Sequence, residues 1–227
     1  MLAGIVVSIC LWAKLARRDD RLLMVYVAAL IGAFVGAKVF YLLVDGWRVI
    51  GRPDVWMQLA TGKTVLGALL GGYVGVEIAK RLVGYRGITG DWFALIAPVG
   101  IILGRIGCLL HGCCQGKVCE PTWFTVTDSA GVTRWPSVPM EILFNVLAVA
   151  VFFFLRQRRV LAGQHFHLYL IAYGAFRFFH EFLRNESLLV GPFTGYQLLA
   201  AGVAIFGAVA FVLRRNMTAS VVVTKSA

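Results

Sequence analysis

Ionisable side chains inside long apolar stretches are costly and usually mark function. Six lie within or at the ends of such stretches here: Lys38, Glu77, Arg105, Glu141, Arg177 and Glu181. Arg105 sits in GRIGC between Gly104 and Gly107. Glycine on both sides of a charge predicts that something approaches the backbone closely at that point. Arg177, Glu181 and Arg184 fall at i, i+4 and i+7 in RFFHEFLR, a spacing that puts them on one helix face. Two or three arginines brought together would clamp a phosphate, because a guanidinium bonds phosphate oxygens in pairs. The alternative is that Glu181 merely neutralises Arg177 or Arg184 and fixes helix packing. Lys38 and Glu77 are expected either to pair or to leave Lys38 snorkelling.

The second chemical cluster is GRIGCLLHGCCQGKVCEPTW, which holds Cys108, His111, Cys113, Cys114 and Cys119. Three readings stay open. Cys113 or Cys114 bridges to Cys119, as expected in an oxidising compartment. A thiol near Arg105 is activated by the neighbouring cation. Thiolates and imidazole hold zinc, although the spacing is not a standard zinc pattern. His111 can act as a general base, since imidazole titrates near neutral pH, or be a bystander facing lipid headgroups. Cys10 stands alone in an apolar run and is expected to pack. No resident metal or cofactor is expected.

The elements that must carry these groups are membrane helices. Of 227 residues, 59% are hydrophobic and 15% charged, against about 45–50% and about 25% in soluble domains. The apolar stretches are continuous rather than alternating, which selects helices over strands. At roughly 20 residues per span, the chain divides into seven helices near 2–15, 22–44, 64–83, 91–110, 139–155, 165–183 and 192–213. The apolar run at the start has no charged leader and does not read as a cleaved signal. The net charge of +11 lies between apolar segments, so it reads as topology and anionic headgroups rather than nucleic acid.

Thirteen basic residues occupy one set of loops: Lys14, Arg17, Arg18, Arg21, Lys80, Arg81, Arg86, Arg156, Arg158, Arg159, Arg214, Arg215 and Lys225. Six occupy the other: Arg48, Arg52, Lys63, Lys117, Arg134 and Arg184. The first set is assigned to the cytoplasm, which places the N-terminus outside and the C-terminus inside. The chain then reads as one transmembrane domain, 1–227, with an interfacial arm over 45–63 and a head loop over 111–138 on the outer side. Glycines at spacing four (Gly32, Gly36; Gly67, Gly71, Gly75; Gly100, Gly104) predict close helix crossings.

In order along the chain, KTVLGALLGG (63–72), GRIG with the glycine-rich loop after it (104–116), RWPSVPMEI (134–142), GQHFHLYLIAYGAFRFFHEFLRNE (163–186) and TGYQLL (194–199) resemble the prolipoprotein diacylglyceryl transferases, from about residue 20 onward. The resemblance implies a seven-span fold with an outer arm and head in the bacterial inner membrane. It implies transfer of a diacylglyceryl group from phosphatidylglycerol to a lipobox cysteine of a prolipoprotein, with glycerol phosphate leaving. Arg105 and Arg177 match positions that handle the lipid headgroup, Glu181 and Arg184 the acidic and basic residues that follow, and Gly116 a glycine of the head. Gly104, Gly107 and Cys108 fall in the same substrate-binding segment. Several positions depart from the family pattern. Leu66 stands for a histidine before the glycine pair, Cys108 for an asparagine, Cys113 for a glutamate and Trp135 for a histidine. The departures leave His111 as the candidate base, and leave open a related transferase with another acceptor or a thiol-based membrane redox protein.

Overall fold

In the computed structural model, the described residues are 20–51, 53–128, 130–184, 188–190 and 192–225. The helix expected near 2–15, Cys10, and the basic residues Lys14, Arg17, Arg18 and Arg52 lie outside them. Seven α-helices are present among the described residues: α1 Asp20–Val44, α2 Val55–Thr61, α3 Val65–Leu82, α4 Gly90–His111, α5 Ser137–Gln157, α6 His165–His180 and α7 Gly195–Lys225. One-turn 3₁₀ helices cover Gly46–Val49 and Glu181–Leu183. Two small antiparallel pairs complete the set, β1 (Val126–Thr127) with β2 (Thr133–Arg134) and β3 (Leu188–Val190) with β4 (Phe193–Thr194).

The distribution of side chains is that of a membrane protein. Leu23, Ile31, Phe34, Leu43, Leu147, Phe154 and Leu213 are exposed, whereas Glu141, Asn145, His167, Arg177, His180, Glu181 and Gln197 are buried. Helices that hide polar groups and present apolar ones suit a hydrocarbon solvent. Four helices are long and apolar enough to cross a bilayer, namely α1, α4, α5 and α7 over Gly195–Arg214, and α2 with α3 forms a fifth candidate bent by 48°. The all-helical expectation is met; the count of seven is not reached among the described residues. The shortfall lies partly in α6. Its 16 residues span roughly 24 Å at 1.5 Å each, less than the ~30 Å hydrocarbon core, and most of them are buried rather than lipid-facing.

The chain forms two compact units. In the first, residues 20–87 with 188–199, α1 and α3 cross through glycines. A Cβ on Gly36 would meet the Gly71 Cα at 2.7 Å, and one on Gly75 would press on the Ala28 carbonyl. This is the small-residue contact that the spacing predicts, with backbone packed on backbone. Gly36→Leu should therefore force the helices apart and lower stability by ~1–3 kcal/mol or more. Gly202→Ala, on α7 with nothing within 4 Å, should stay within about 0.5 kcal/mol; detergent melting curves of the two variants would test the contrast. Lys38 donates to the Gly62 carbonyl (3.4 Å) and Glu77 faces Lys80 (3.8 Å), so the Lys38–Glu77 pair does not form. At the start of α7, Thr194 and Gln197 cap each other. The Gln197 amide donates to Thr194 Oγ1 (3.1 Å), and the Thr194 amide to Gln197 Oε1 (2.8 Å). This is the reciprocal box of a T-x-x-Q sequence.

The second unit, residues 88–187 with 200–227, is built around α6. Its buried face repeats every fourth residue: His165, Tyr169, Tyr173 and Arg177, with Glu181 one step beyond. On α5 the facing groups are Glu141 and Asn145, also four apart. Tyr173 donates to Glu141 Oε1 and Tyr169 to Asn145 Oδ1, both at 2.8 Å. Gly174 lets α7 approach, since a Cβ there would meet the Ala204 side chain at 2.9 Å. At one end, the Asp91 carboxylate on α4 takes the amides of Gly163 (2.8 and 2.9 Å) and His165 (3.2 Å).

Candidate functional site

At the other end of this unit the buried charges converge. Glu141 is 1% exposed, and its Oε2 accepts Arg105 Nη2 at 2.9 Å and Arg177 Nη1 at 3.3 Å. Arg177 Nη2 reaches Glu181 Oε2 at 2.8 Å, and Arg184 Nε lies 3.7 Å from Glu181 Oε1. Three guanidiniums and two carboxylates thus form one connected cluster with one net positive charge. Ser137 and His180 extend it. Arg177 Nη1 donates to His180 Nδ1 (3.0 Å), His180 Nε2 to the Ser137 carbonyl (2.8 Å), and Ser137 Oγ to the Cys114 carbonyl (2.9 Å).

Each arginine arrives by a different route. Arg105 projects from α4 between Gly104 and Gly107, where a Cβ would meet nothing within 4 Å. Among the described residues, no other helix makes the close approach expected at these glycines and at Gly100. Nothing among the described residues packs on that side of α4 beside the guanidinium. Arg177 is fixed by the four-residue repeat of α6. The helix expected to run through residue 183 stops at His180 and passes through the 3₁₀ turn. Arg184 is then extended (φ −100°, ψ 149°) and bridges to Gly116. Gly116 is pressed against Trp135, whose Cβ would lie 2.9 Å from any Cβ placed there. Lys117 completes the seam, donating to Leu183 O (2.8 Å) and accepting from the Trp135 amide (3.0 Å).

The head beyond this seam is a small hairpin closed by Asp128. Its Oδ1 accepts the amides of Ala130 and Val132 at 2.9 Å, and its Oδ2 accepts Arg134 Nε at 2.6 Å. The Arg134 hydrogen bond, aided by the Val132 and Ala130 amides, holds the Asp128 carboxyl below the usual carboxylate range. A depressed carboxyl contributes stability that is full above the unfolded pKa of ~3.9 and is lost as pH falls through the folded value. Protection of the Val132 amide against exchange, relative to its unfolded rate at the same pH, should thus hold down to about pH 4 and fall in stronger acid. Asp128→Asn should remove that acid step.

The cysteines do not follow the disulfide expectation. Cys108, Cys113, Cys114 and Cys119 are all free thiols, and the sulfurs that gather are those of Cys108, Cys113 and Cys114, not Cys119. Arg105 Nη1 donates to Cys108 Sγ at 3.8 Å, so one thiol lies beside the cation. Cys113 is the opposite of activated: desolvation and the adjacent Cys114 and Cys108 thiols push it up to about 12. His111 is the exposed last residue of α4.

Glu141, the centre of the cluster, is one of the six charges noted from sequence but was not among the expected site residues; Tyr173, His180 and Ser137 were not singled out. A buried glutamate in RWPSVPMEI was the available signal for the first of these. Nothing in the spacing of Tyr173, His180 or Ser137 separates them from helix-packing residues.

The family model described as prolipoprotein diacylglyceryl transferase matches residues 1–213. The chain belongs to this family. Among curated relatives it is similar to the phosphatidylglycerol–prolipoprotein diacylglyceryl transferases of Gloeobacter violaceus, at 31% identity over 92% of this chain and 84% of the relative, of Photobacterium profundum, at 30% over 80% and 71%, and of Clostridium tetani, at 27% over 81% and 78%. Of the residues that carry the resemblance, Arg105 and Arg177 meet on Glu141, and Glu181 with Arg184 continues the same network. Gly116 holds the seam that places Arg184. Leu66, where the resemblance leads one to expect a histidine, is a fully buried apolar residue of the first unit.

Proposed function

We propose that this family member transfers a diacylglyceryl group from phosphatidylglycerol to the thiol of a lipobox cysteine in a prolipoprotein and releases glycerol phosphate. The observation that carries the reading is the buried cluster of Arg105, Arg177 and Arg184 with Glu141 and Glu181, one positive charge in excess, beside a glycine face of α4 that no other described residue covers. A phosphodiester carries one negative charge, which balances that excess. The acceptor sulfur forms a bond to the glyceryl carbon as the carbon–oxygen bond to phosphate breaks. The phosphate leaves with the electron pair, and the thiol proton passes to a base. The leaving phosphate gains negative charge as it departs, so fixed guanidiniums stabilise the transition state more than the bound lipid. Arg105, Gly104, Gly107, Cys108, Gly116, Arg177, Glu181 and Arg184 are the lipid-binding set in this reading. His111 is the proton acceptor.

The setting is a bacterial inner membrane. Seven spans with the N-terminus outside are supported by the bias of Lys and Arg between loops. In the arm over 45–63, Trp47, Ile50, Trp56 and Met57 are exposed, as suits a segment at headgroup depth. The head over 111–138 lies on the same outer side of a single transmembrane domain.

Purified protein in micelles containing phosphatidylglycerol, given a lipobox peptide, should add one diacylglyceryl mass to the peptide cysteine. A matching serine peptide, or micelles of a zwitterionic lipid alone, should give none. His111→Ala should slow the reaction by about 10²-fold or more if it is the base. No mass gain from a folded protein would sink the transfer reading, and unchanged turnover in His111→Ala would remove only the base.

A further inference from the structure

The head loop brings three thiols together by a mechanism the spacing alone conceals. Helix α4 ends at Gly112, which adopts the left-handed region (φ +67°). The Gly112 amide donates to Leu109 O (3.3 Å) and the Cys113 amide to Cys108 O (3.1 Å). This paired closure, six residues to one and five to two, is the Schellman motif. It folds the chain back so that residue 113 returns over residue 108. Cys114 then takes a left-handed conformation of its own (φ +62°), uncommon for a residue with a Cβ. Its carbonyl is tied to Ser137 Oγ at 2.9 Å. The result places the Sγ atoms of Cys108, Cys113 and Cys114 all within 4.8 Å of one another. Among the described residues this is the only group of three or more metal-ligating side chains.

We infer that Cys108, Cys113 and Cys114 form a binding site for a thiophilic divalent cation of the zinc class. Tetrahedral zinc with bonds of 2.3 Å sets its thiolates about 3.8 Å apart, so the sulfurs need close by at most about 1 Å. Cys108 is rigid on α4, and Cys113 and Cys114 lie on the turn that follows, which can supply the adjustment. The ligand type selects the metal, since three sulfurs favour zinc over magnesium or calcium. A partner outside the ligand set supports it as well. Arg105, already donating to Cys108 Sγ at 3.8 Å, would orient that ligand from behind. Three protein ligands leave one position of a tetrahedron for a ligand from outside.

The site is read directly, without turnover. The full chain, reduced in detergent, is titrated with Co²⁺ alone. One equivalent should bind with thiolate-to-cobalt charge-transfer absorption, and Zn²⁺ should then displace it. Cys108→Ser, Cys113→Ser and Cys114→Ser should each weaken cobalt binding at least ~10-fold, and Cys119→Ser should leave it unchanged. Circular dichroism shows that each variant is folded. Absence of the absorption in folded protein, or its survival with all three residues changed to serine, overturns the inference. So does thiol counting that finds a disulfide among the three in protein purified without reductant. Cobalt binding with no diacylglyceryl transfer would leave this site standing and sink the proposed reaction. Transfer without cobalt binding would do the reverse.

Discussion

Arg105→Ala is expected to lower the rate of diacylglyceryl transfer by roughly 10²–10³-fold, the usual loss when one preorganised donor to a developing oxyanion is removed. Arg105 is suited to that role by position. Its side chain is 12% exposed, it projects from α4 beside two glycines with no described residue within 4 Å of their Cβ positions, and its charge is only half claimed. Glu141 Oε2 is shared with Arg177, at 2.9 Å from one guanidinium and 3.3 Å from the other. A phosphate entering on the open side can draw on the remaining donors of Arg105 without breaking the pair. Removing this residue leaves two guanidiniums for two carboxylates, so the net positive charge that answers the phosphodiester disappears. The loss should fall mainly on kcat, because the leaving phosphate carries more negative charge than the bound lipid. Arg105→Lys keeps the charge but not the paired donors, and should recover only part of the rate. Initial rates on the lipobox peptide, with circular dichroism for folding, test this. Wild-type kcat in Arg105→Ala would remove Arg105 from the reaction.

The helical frame and most of this site are legible in the sequence for definite reasons. Glycines at spacing four announce the α1–α3 crossing because only backbone contact needs them, and Gly36 and Gly71 make it. The start of α7, expected at 192, falls at Gly195, where Thr194 and Gln197 satisfy each other's amides. Arg105, Arg177 and Glu181 stand out because charge in an apolar stretch is costly, and Arg184 because it falls at i+7 from Arg177; all four join one network. The same reasoning falls short where the answer depends on partners from distant segments. Glu141 looks like one more isolated charge until α5 and α6 are side by side. Helical spacing also misplaces Arg184. It lies at i+7 from Arg177, yet the helix ends at His180, and Arg184 rejoins Glu181 from an extended segment pinned by Gly116. Gly100 and Gly104 continue the spacing-four pattern but meet no helix among the described residues, so the pattern alone does not mark a helix crossing. The cysteine spacing misleads for a related reason. Ligand intervals are judged along the chain, whereas the turn at Gly112 reverses it and superposes residues five apart.

Glu141→Gln should be the most destabilising single change in the second unit. The carboxylate is buried at 1% exposure and holds two guanidiniums and the Tyr173 hydroxyl at once. Glutamine keeps the volume and can still accept from Tyr173, but it carries no charge. Arg105 and Arg177 then face each other with Glu181 as the remaining anion of the cluster. Breaking a buried pair by removing one partner costs about 3–5 kcal/mol. For a chain of this length that lowers the melting temperature on the order of 10 °C. The pairing partners decide whether the cost is electrostatic. Arg105→Met in the Glu141→Gln background removes one of the two stranded charges and supplies an apolar side chain of similar reach. If stranded charge is the cause, the double variant should melt higher than Glu141→Gln alone, and the coupling measured over the cycle should exceed about 1 kcal/mol. Transfer should stay lost in both. If instead Glu141 acts by filling space, Glu141→Gln itself should melt near wild type, and the second substitution should only add a loss of its own.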